Sequence, residues 1–198
     1  MYFLLCLATE LPIGYLLVEV KLTESKFGSC RGAMKSTLKR PGNPNHHRCD
    51  NLAKVVQDPA QQCWMAGEDN GRSYWDFMKR TATPFIFPTE GACPFRYSLY
   101  QLMRNQVLAM ALRKNTRAEW AELAVCVHPG NDLVYRLKDR VAGEAHALRA
   151  FNALLPVQTG KIRELDPLQI VQTVNSIDSN LSEWSDWTIG RYDLLAHH

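Results

Sequence analysis

No stretch of this chain is apolar for long enough to cross a bilayer, which takes about 20 consecutive apolar residues. The best candidate, Met1 to Ala8, has no basic segment before it and Glu10 soon after, so it does not read as a secretory signal either. The expectation is a soluble, cytoplasmic protein with no membrane partner. A phosphate loop, a dinucleotide fingerprint and a nucleophile elbow are also missing, so a metabolic α/β enzyme has no motif in its favour. Neither an internal repeat nor a low-complexity tract is present, which excludes solenoid architectures. None of the 6 cysteines forms a Cys-x-x-Cys pair, so the ribbon-type zinc signature is absent.

What is present suits one folded domain. The chain has 198 residues, 46% hydrophobic and 22% charged, which are globular values at a length that can bury a core. The expected organisation is a single domain over 1–198 with a long insertion at 27–96. The net charge of +3 is uninformative, but its distribution is not. Residues 21–54 carry eight basic side chains (Lys21, Lys26, Arg31, Lys35, Lys39, Arg40, Arg48 and Lys54) against Glu24 and Asp50 alone. Residues 160–198 reverse the sign, with three basic and six acidic side chains. A local basic stripe is what a phosphate backbone requires, although a solvated loop can be just as lysine-rich.

Along the chain, 15–23 reads as a β-rich strand. Period two sets Tyr15, Leu17, Glu19, Lys21 and Thr23 on one face and Leu16, Val18, Val20 and Leu22 on the other. The second face is wholly apolar and is expected to be the buried one. Residues 27–96 have no sustained period and are rich in Gly, Pro, Asn and His. So long an irregular segment is unusual in a compact domain. Short helices are expected at 50–57 and 73–80, a longer one at 97–114, a second strand at 121–128 and a helix at about 131–153. Asp166-Pro167 starts another helix running to about 177, and a tryptophan-rich helix follows at about 181–195. This order predicts an α/β or α+β fold. Trp120, Trp184 and Trp187 are assigned to packing, as is the Tyr74, Trp75 and Phe77 group, although such rings can also stack on bases.

The chemistry centres on Glu19 and Lys21. Cleaving a phosphodiester drives water onto phosphorus while charge builds on the phosphoryl oxygens. A divalent metal activates the water and offsets that charge, and magnesium prefers carboxylate oxygens. A lysine beside the metal adds a point charge. Spacing i, i+2 on a strand sets the two side chains on one face, roughly 7 Å apart along the chain. A Glu-x-Lys tripeptide arises by chance about once in a chain of this size at ordinary composition. Its place at the end of a very apolar strand is what distinguishes this one.

Three pieces, taken in order, resemble the PD-(D/E)XK nuclease superfamily, and more closely a family of bacterial proteins classed as restriction endonucleases. They are Leu17-Val18-Glu19-Val20-Lys21-Leu22-Thr23-Glu24, then Phe27-Gly28-Ser29-Cys30, then Cys93-Pro94-Phe95-Arg96-Tyr97 leading into Tyr100-Gln101-Leu102-Met103-Arg104-Asn105-Gln106. The resemblance covers about 17–112. It implies a restriction-endonuclease-like central mixed sheet flanked by helices, a magnesium-dependent site and a DNA substrate. Glu19 is then a metal ligand, Lys21 the catalytic lysine, and Gln101 a polar residue that supports the site or touches DNA. The superfamily also uses an upstream acid, usually aspartate, yet no aspartate precedes Glu19. Glu10 is the available substitute, across a turn at Leu11-Pro12-Ile13-Gly14; otherwise the chain begins late and has lost the acid. Lys26, Arg31, Lys35, Lys39 and Arg40 are the expected DNA contacts. A homodimer is compatible with this reading, and the oligomeric state stays open.

Cys30, Cys49, Cys63 and Cys93 all lie in the irregular segment, with gaps of 18, 13 and 29 residues. They can be four reduced packing thiols. They can equally be ligands for zinc or an iron–sulfur cluster, with His46 or His47 as a substitute ligand. Cys6 and Cys126 fall in apolar, strand-like runs and read as buried packing residues. Two functions follow: a magnesium-dependent endodeoxyribonuclease acting in restriction or defence, or a catalytically inactive or truncated, metal-stapled nucleic-acid-binding module.

Overall fold

The computed structural model describes residues 14–38, 42–67, 73–80, 85–116 and 118–196. Glu10, Cys6, Lys39 and Arg40 lie outside these residues. In chain order the elements are β1 (Gly14–Lys21), α1 (Leu52–Gln57), α2 (Pro59–Gln62), α3 (Tyr74–Arg80), α4 (Tyr100–Thr116) and β2 (Trp120–Val127). They continue with β3 (Arg136–Val141), β4 (Glu144–His146), α5 (Ala147–Ala153), β5 (Arg163–Leu165), α6 (Pro167–Ile177) and α7 (Ser182–Arg191). The result is a mixed α/β fold.

Three strands form a parallel sheet in the order β1-β2-β5. β1 pairs with β2 along its whole length, from Gly14 opposite Trp120 to Lys21 opposite Val127. Gly14 is there because the Trp120 ring lies over it: a Cβ at this position would stand 2.1 Å from a ring carbon. A parallel pair needs a long connection, and here α4 and the irregular segment supply it. The antiparallel pair β3–β4 forms a sheet of its own, so among the described residues the strands do not join into one mixed sheet.

The main core lies on the face of β1 that carries Tyr15 and Leu17. Leu102, Met103 and Val107 of α4, Leu123 and Val125 of β2, and the rings of Phe85, Phe95 and Phe151 fill it. This inverts the expectation for β1. Glu19 and Lys21 share the covered face, while Leu16 and Val20 on the supposedly buried face are only partly covered. The wholly apolar face was the one expected to be buried, and Val18 on it is buried, but the packing of α4 covers the face of Tyr15, Leu17, Glu19 and Lys21 more completely.

Residues 131–153 are not one helix. Asp132–Tyr135 is a single 3-10 turn, followed by a β3–β4 hairpin and then α5. The hairpin turns at Ala142 and Gly143, with φ of 50° and 81°, a pair of left-handed residues that suits a two-residue connection. β5 is a further strand that its composition did not reveal. Asp166 caps α6, accepting from the Leu168 amide at 2.8 Å, with Pro167 in the first turn. α6 and α7 meet around Leu168, Val171 and Leu194. Trp184 and Trp187 are exposed at 44% and 60%, contrary to the packing role expected of them. No helix among the described residues is long and apolar enough to cross a membrane.

Candidate active site

β1 ends by placing Glu19 and Lys21 side by side, Lys21 Nζ 3.0 Å from Glu19 Oε1. Both residues are buried, at 3–4% exposure. Charges removed from water must be paired and hydrogen-bonded, and α4 provides the partners. Lys21 Nζ donates to Gln101 Oε1 at 2.8 Å, and Asn105 Nδ2 donates to Glu19 Oε2 at 2.7 Å. Gln101 and Asn105 are four residues apart, one turn of helix, and so share a face. Asn105 is 1% exposed. Sequence reasoning singled out Gln101 and missed Asn105, although its signal was there: a polar residue at i+4 from Gln101 on an otherwise apolar helix face.

Gly28 makes room for this arrangement. Its φ is +68°, and a Cβ would fall 2.8 Å from Gln101 Cγ. The Gln101 amide also donates to Phe27 O at 2.9 Å, tying the start of α4 to the loop after β1. Glu24 closes the cluster from the solvent side, its Oε1 3.6 Å from Lys21 Nζ. Burial acts to raise its carboxyl pKa. The amides of Glu24, Thr23 and Leu22, with the Lys21 ammonium, outweigh that and hold it below the ordinary range.

The chain matches, over residues 3–192, the family described as REase-ARP, restriction endonuclease associating with ARP. It belongs to that family. Membership supports a restriction-endonuclease-like chain. No curated protein and no solved structure matches it.

The other expected site residues are distributed unevenly around this cluster. Lys26, Arg31 and Lys35 are exposed, and the Arg31 guanidinium lies over the Trp64 ring at 5.9 Å. The next carboxylate on the sheet row of Glu19 is Glu164 on β5, reached through Val125. Two strand spacings, roughly 10 Å, separate the two backbones. Trp75 is buried in the core, with Tyr74 and Phe77 packed against it, so these rings act in packing. His128 is structural: Nδ1 accepts from the Gly130 amide and Nε2 meets Tyr192 O. Two cavities, of about 140 Å³ beside Arg96 and Tyr97 and about 340 Å³ beside Arg48 and Trp64, open elsewhere.

Cys30, Cys49, Cys63 and Cys93 are free and buried. The chain brings them to one place. The Cys93 amide donates to Cys49 O at 2.8 Å, and Cys49 Sγ lies 3.8 Å from Gly32 O. A Cβ at Gly32 would stand 3.5 Å from Cys30 Sγ and 3.3 Å from Trp64 Cβ, next in sequence to Cys63. Burial pushes the Cys30 thiol up to about 11 and Cys49 up to about 12, each raised further by neighbouring cysteines. Cys93 is also raised, first by burial and then by the other three thiols. As the side chains stand, no three His, Cys, Asp or Glu groups among the described residues are set to hold a metal ion. Cys126 is buried in β2, apart from this group.

Proposed function

We propose that this chain is a PD-(D/E)XK-type endodeoxyribonuclease that hydrolyses DNA phosphodiester bonds with magnesium, in restriction or defence. The observation that carries the reading is the four-residue cluster: Glu19 and Lys21 on one strand face, each held by a polar residue of the same helix. Magnesium, bound by Glu19, would activate the attacking water and offset charge on the phosphoryl oxygens.

The protein residues then have separable tasks. Asn105 fixes the rotation of the Glu19 carboxylate by holding Oε2 and leaves Oε1 as the exchangeable oxygen. Gln101 fixes the Lys21 ammonium, which stabilises charge that is larger in the transition state than in the ground state. Opening the Lys21–Glu19 contact is the condition for substrate to enter. DNA is held by phosphate contacts from the exposed Lys26, Arg31 and Lys35. Lys39 and Arg40 belong to the same stripe in sequence, and Glu10 is the proposed second carboxylate.

The test is cleavage of supercoiled plasmid by the full chain with magnesium, wild type against Lys21→Ala and Glu19→Ala. Nicking or linearisation lost in both variants, with DNA binding retained, supports the nuclease. Wild-type turnover by Lys21→Ala at saturating DNA refutes the assignment. A second reading has one observation in its favour: Glu19 and Lys21 are buried and neutralise each other, as suits a non-catalytic nucleic-acid-binding module. Salt-sensitive DNA binding with no magnesium-dependent cleavage would decide for it.

A further inference from the structure

The segment between β1 and α4 has little regular structure to hold it. Its helices α1, α2 and α3 have 6, 4 and 7 residues, too short to be stable by themselves. The four cysteines come from four separate turns of this segment, yet they converge. The Cys93 amide donates to Cys49 O at 2.8 Å, the Cys30 amide donates to Arg96 O at 3.1 Å, and Gly32 lies against the sulfurs of Cys30 and Cys49 and against Trp64, the neighbour of Cys63. Packing alone gives no reason for this, since a buried cysteine behaves as a small apolar side chain and is content with any apolar neighbour.

The backbone around the sulfurs carries a second, independent sign. Three of the four cysteines open a tight turn in which the amide three residues on donates to the cysteine's carbonyl: Ala33 to Cys30 O at 3.1 Å, Ala66 to Cys63 O at 2.9 Å and Arg96 to Cys93 O at 3.2 Å. Such turns fix the backbone of each cysteine, as a ligand position requires and a packing position does not. Arg96 pairs with Asp50, the neighbour of Cys49, and its charge would offset part of the surplus charge of four thiolates around a divalent ion.

We propose that Cys30, Cys49, Cys63 and Cys93 are the ligands of a structural thiolate metal centre, with zinc the ion that a closed four-sulfur set favours. The sulfurs are not a finished ligand set as they stand, so binding includes an inward turn of the cysteine side chains. Ordering of an irregular segment by a metal is a known coupling of binding to folding. The centre staples the 27–35 turns to the 93–101 approach of α4, next to Gln101. It does not depend on the nuclease reading, and its readouts do not involve DNA.

The test is elemental analysis of the full chain, purified under reducing conditions and refolded with zinc. About one zinc per chain is expected, with a loss of at least roughly tenfold in Cys49→Ser and none in Cys126→Ser. Because Cys49→Ser can misfold, alkylation of the wild type with and without chelator is the second measurement. Chelation should make Cys30, Cys49, Cys63 and Cys93 reactive together while leaving Cys126 protected. Iron with acid-labile sulfide in place of zinc would keep the four-thiolate centre and change its metal. Neither metal bound by the wild type, or identical alkylation with and without chelator, would overturn the proposal.

Discussion

In the β1–α4–β2 frame each buried charge among the described residues has a geometric partner, Lys21 with Glu19 and Gln101 and Glu19 with Asn105, the two helix residues standing one turn apart on α4. In the segment between β1 and α4 the buried groups are instead four sulfurs, held together by turns that contribute few regular hydrogen bonds. The frame is specified by repeating structure, because a strand and a helix each repeat a spacing that lets two positions be set at once. The segment has no such repeat, so its order depends on a few point contacts, such as Asn43 Nδ2 to Gly32 O at 2.7 Å. Damage to the frame should therefore show as a local electrostatic defect, and damage to the segment as a loss of cooperativity over many residues.

The strongest break in this comparison is at the ion pair. Lys21→Met leaves Glu19 as an uncompensated buried charge, and removing one partner of a buried pair costs about 3–5 kcal/mol. Urea unfolding should register that loss. The double variant Glu19→Gln/Lys21→Met should recover most of the stability, since neutral groups of similar size need no counter-charge. Plasmid cleavage should not recover with it. Loss of a preorganised electrostatic donor typically lowers turnover about 100- to 1000-fold. Recovery of cleavage in the double variant would show that these residues serve the fold and not the reaction.

Asn105→Ala should come next. It leaves Glu19 Oε2 buried and one hydrogen bond short, a defect of about 1–3 kcal/mol. Denaturant melts should show the loss, and an unchanged midpoint would mean that the carboxylate finds another donor. Gly28→Ala tests how the two regions are joined. The left-handed backbone there disfavours a side chain by about 1–2 kcal/mol, and the added Cβ presses on Gln101. The expected outcome is a lower melting temperature together with reduced turnover, because Gln101 is displaced from Lys21. The smallest effect on stability belongs to neutralising Lys26, Arg31 and Lys35 together, within about 0.5 kcal/mol as for other surface changes. Titrations at several salt concentrations should then show weaker DNA binding with a shallower salt slope, each lost phosphate contact removing about 0.9 from it, while turnover at saturating DNA is kept.

The elements that were legible in the sequence are those with a local cause. β1 and β2 are continuous β-rich apolar runs, α4 repeats its apolar residues at helical spacing, and α6 begins with a capping aspartate and a proline. In each case the decisive preferences lie within a few adjacent residues. Period two alone set Glu19 and Lys21 on the same face. Residues 131–153 misled because their apolar positions fit a helix loosely, whereas Ala142 and Gly143 supplied a turn that only pairing of β3 with β4 makes worthwhile. β5 has three residues and exists because β2 offers it an open edge.

Tertiary structure decided the rest. The sequence by itself determined that a carboxylate and a lysine share one strand face, that a basic stripe follows, and that four cysteines sit in a segment with little regular structure. It did not determine that this face would be the more completely covered one, that Gln101 and Asn105 would meet the pair across 80 and 86 positions, or that the turns carrying the four cysteines would meet. Backbone preference acts over a few residues and can be read locally. Burial and electrostatic pairing depend on which distant segment arrives at a surface, and that is fixed only when the whole chain has packed.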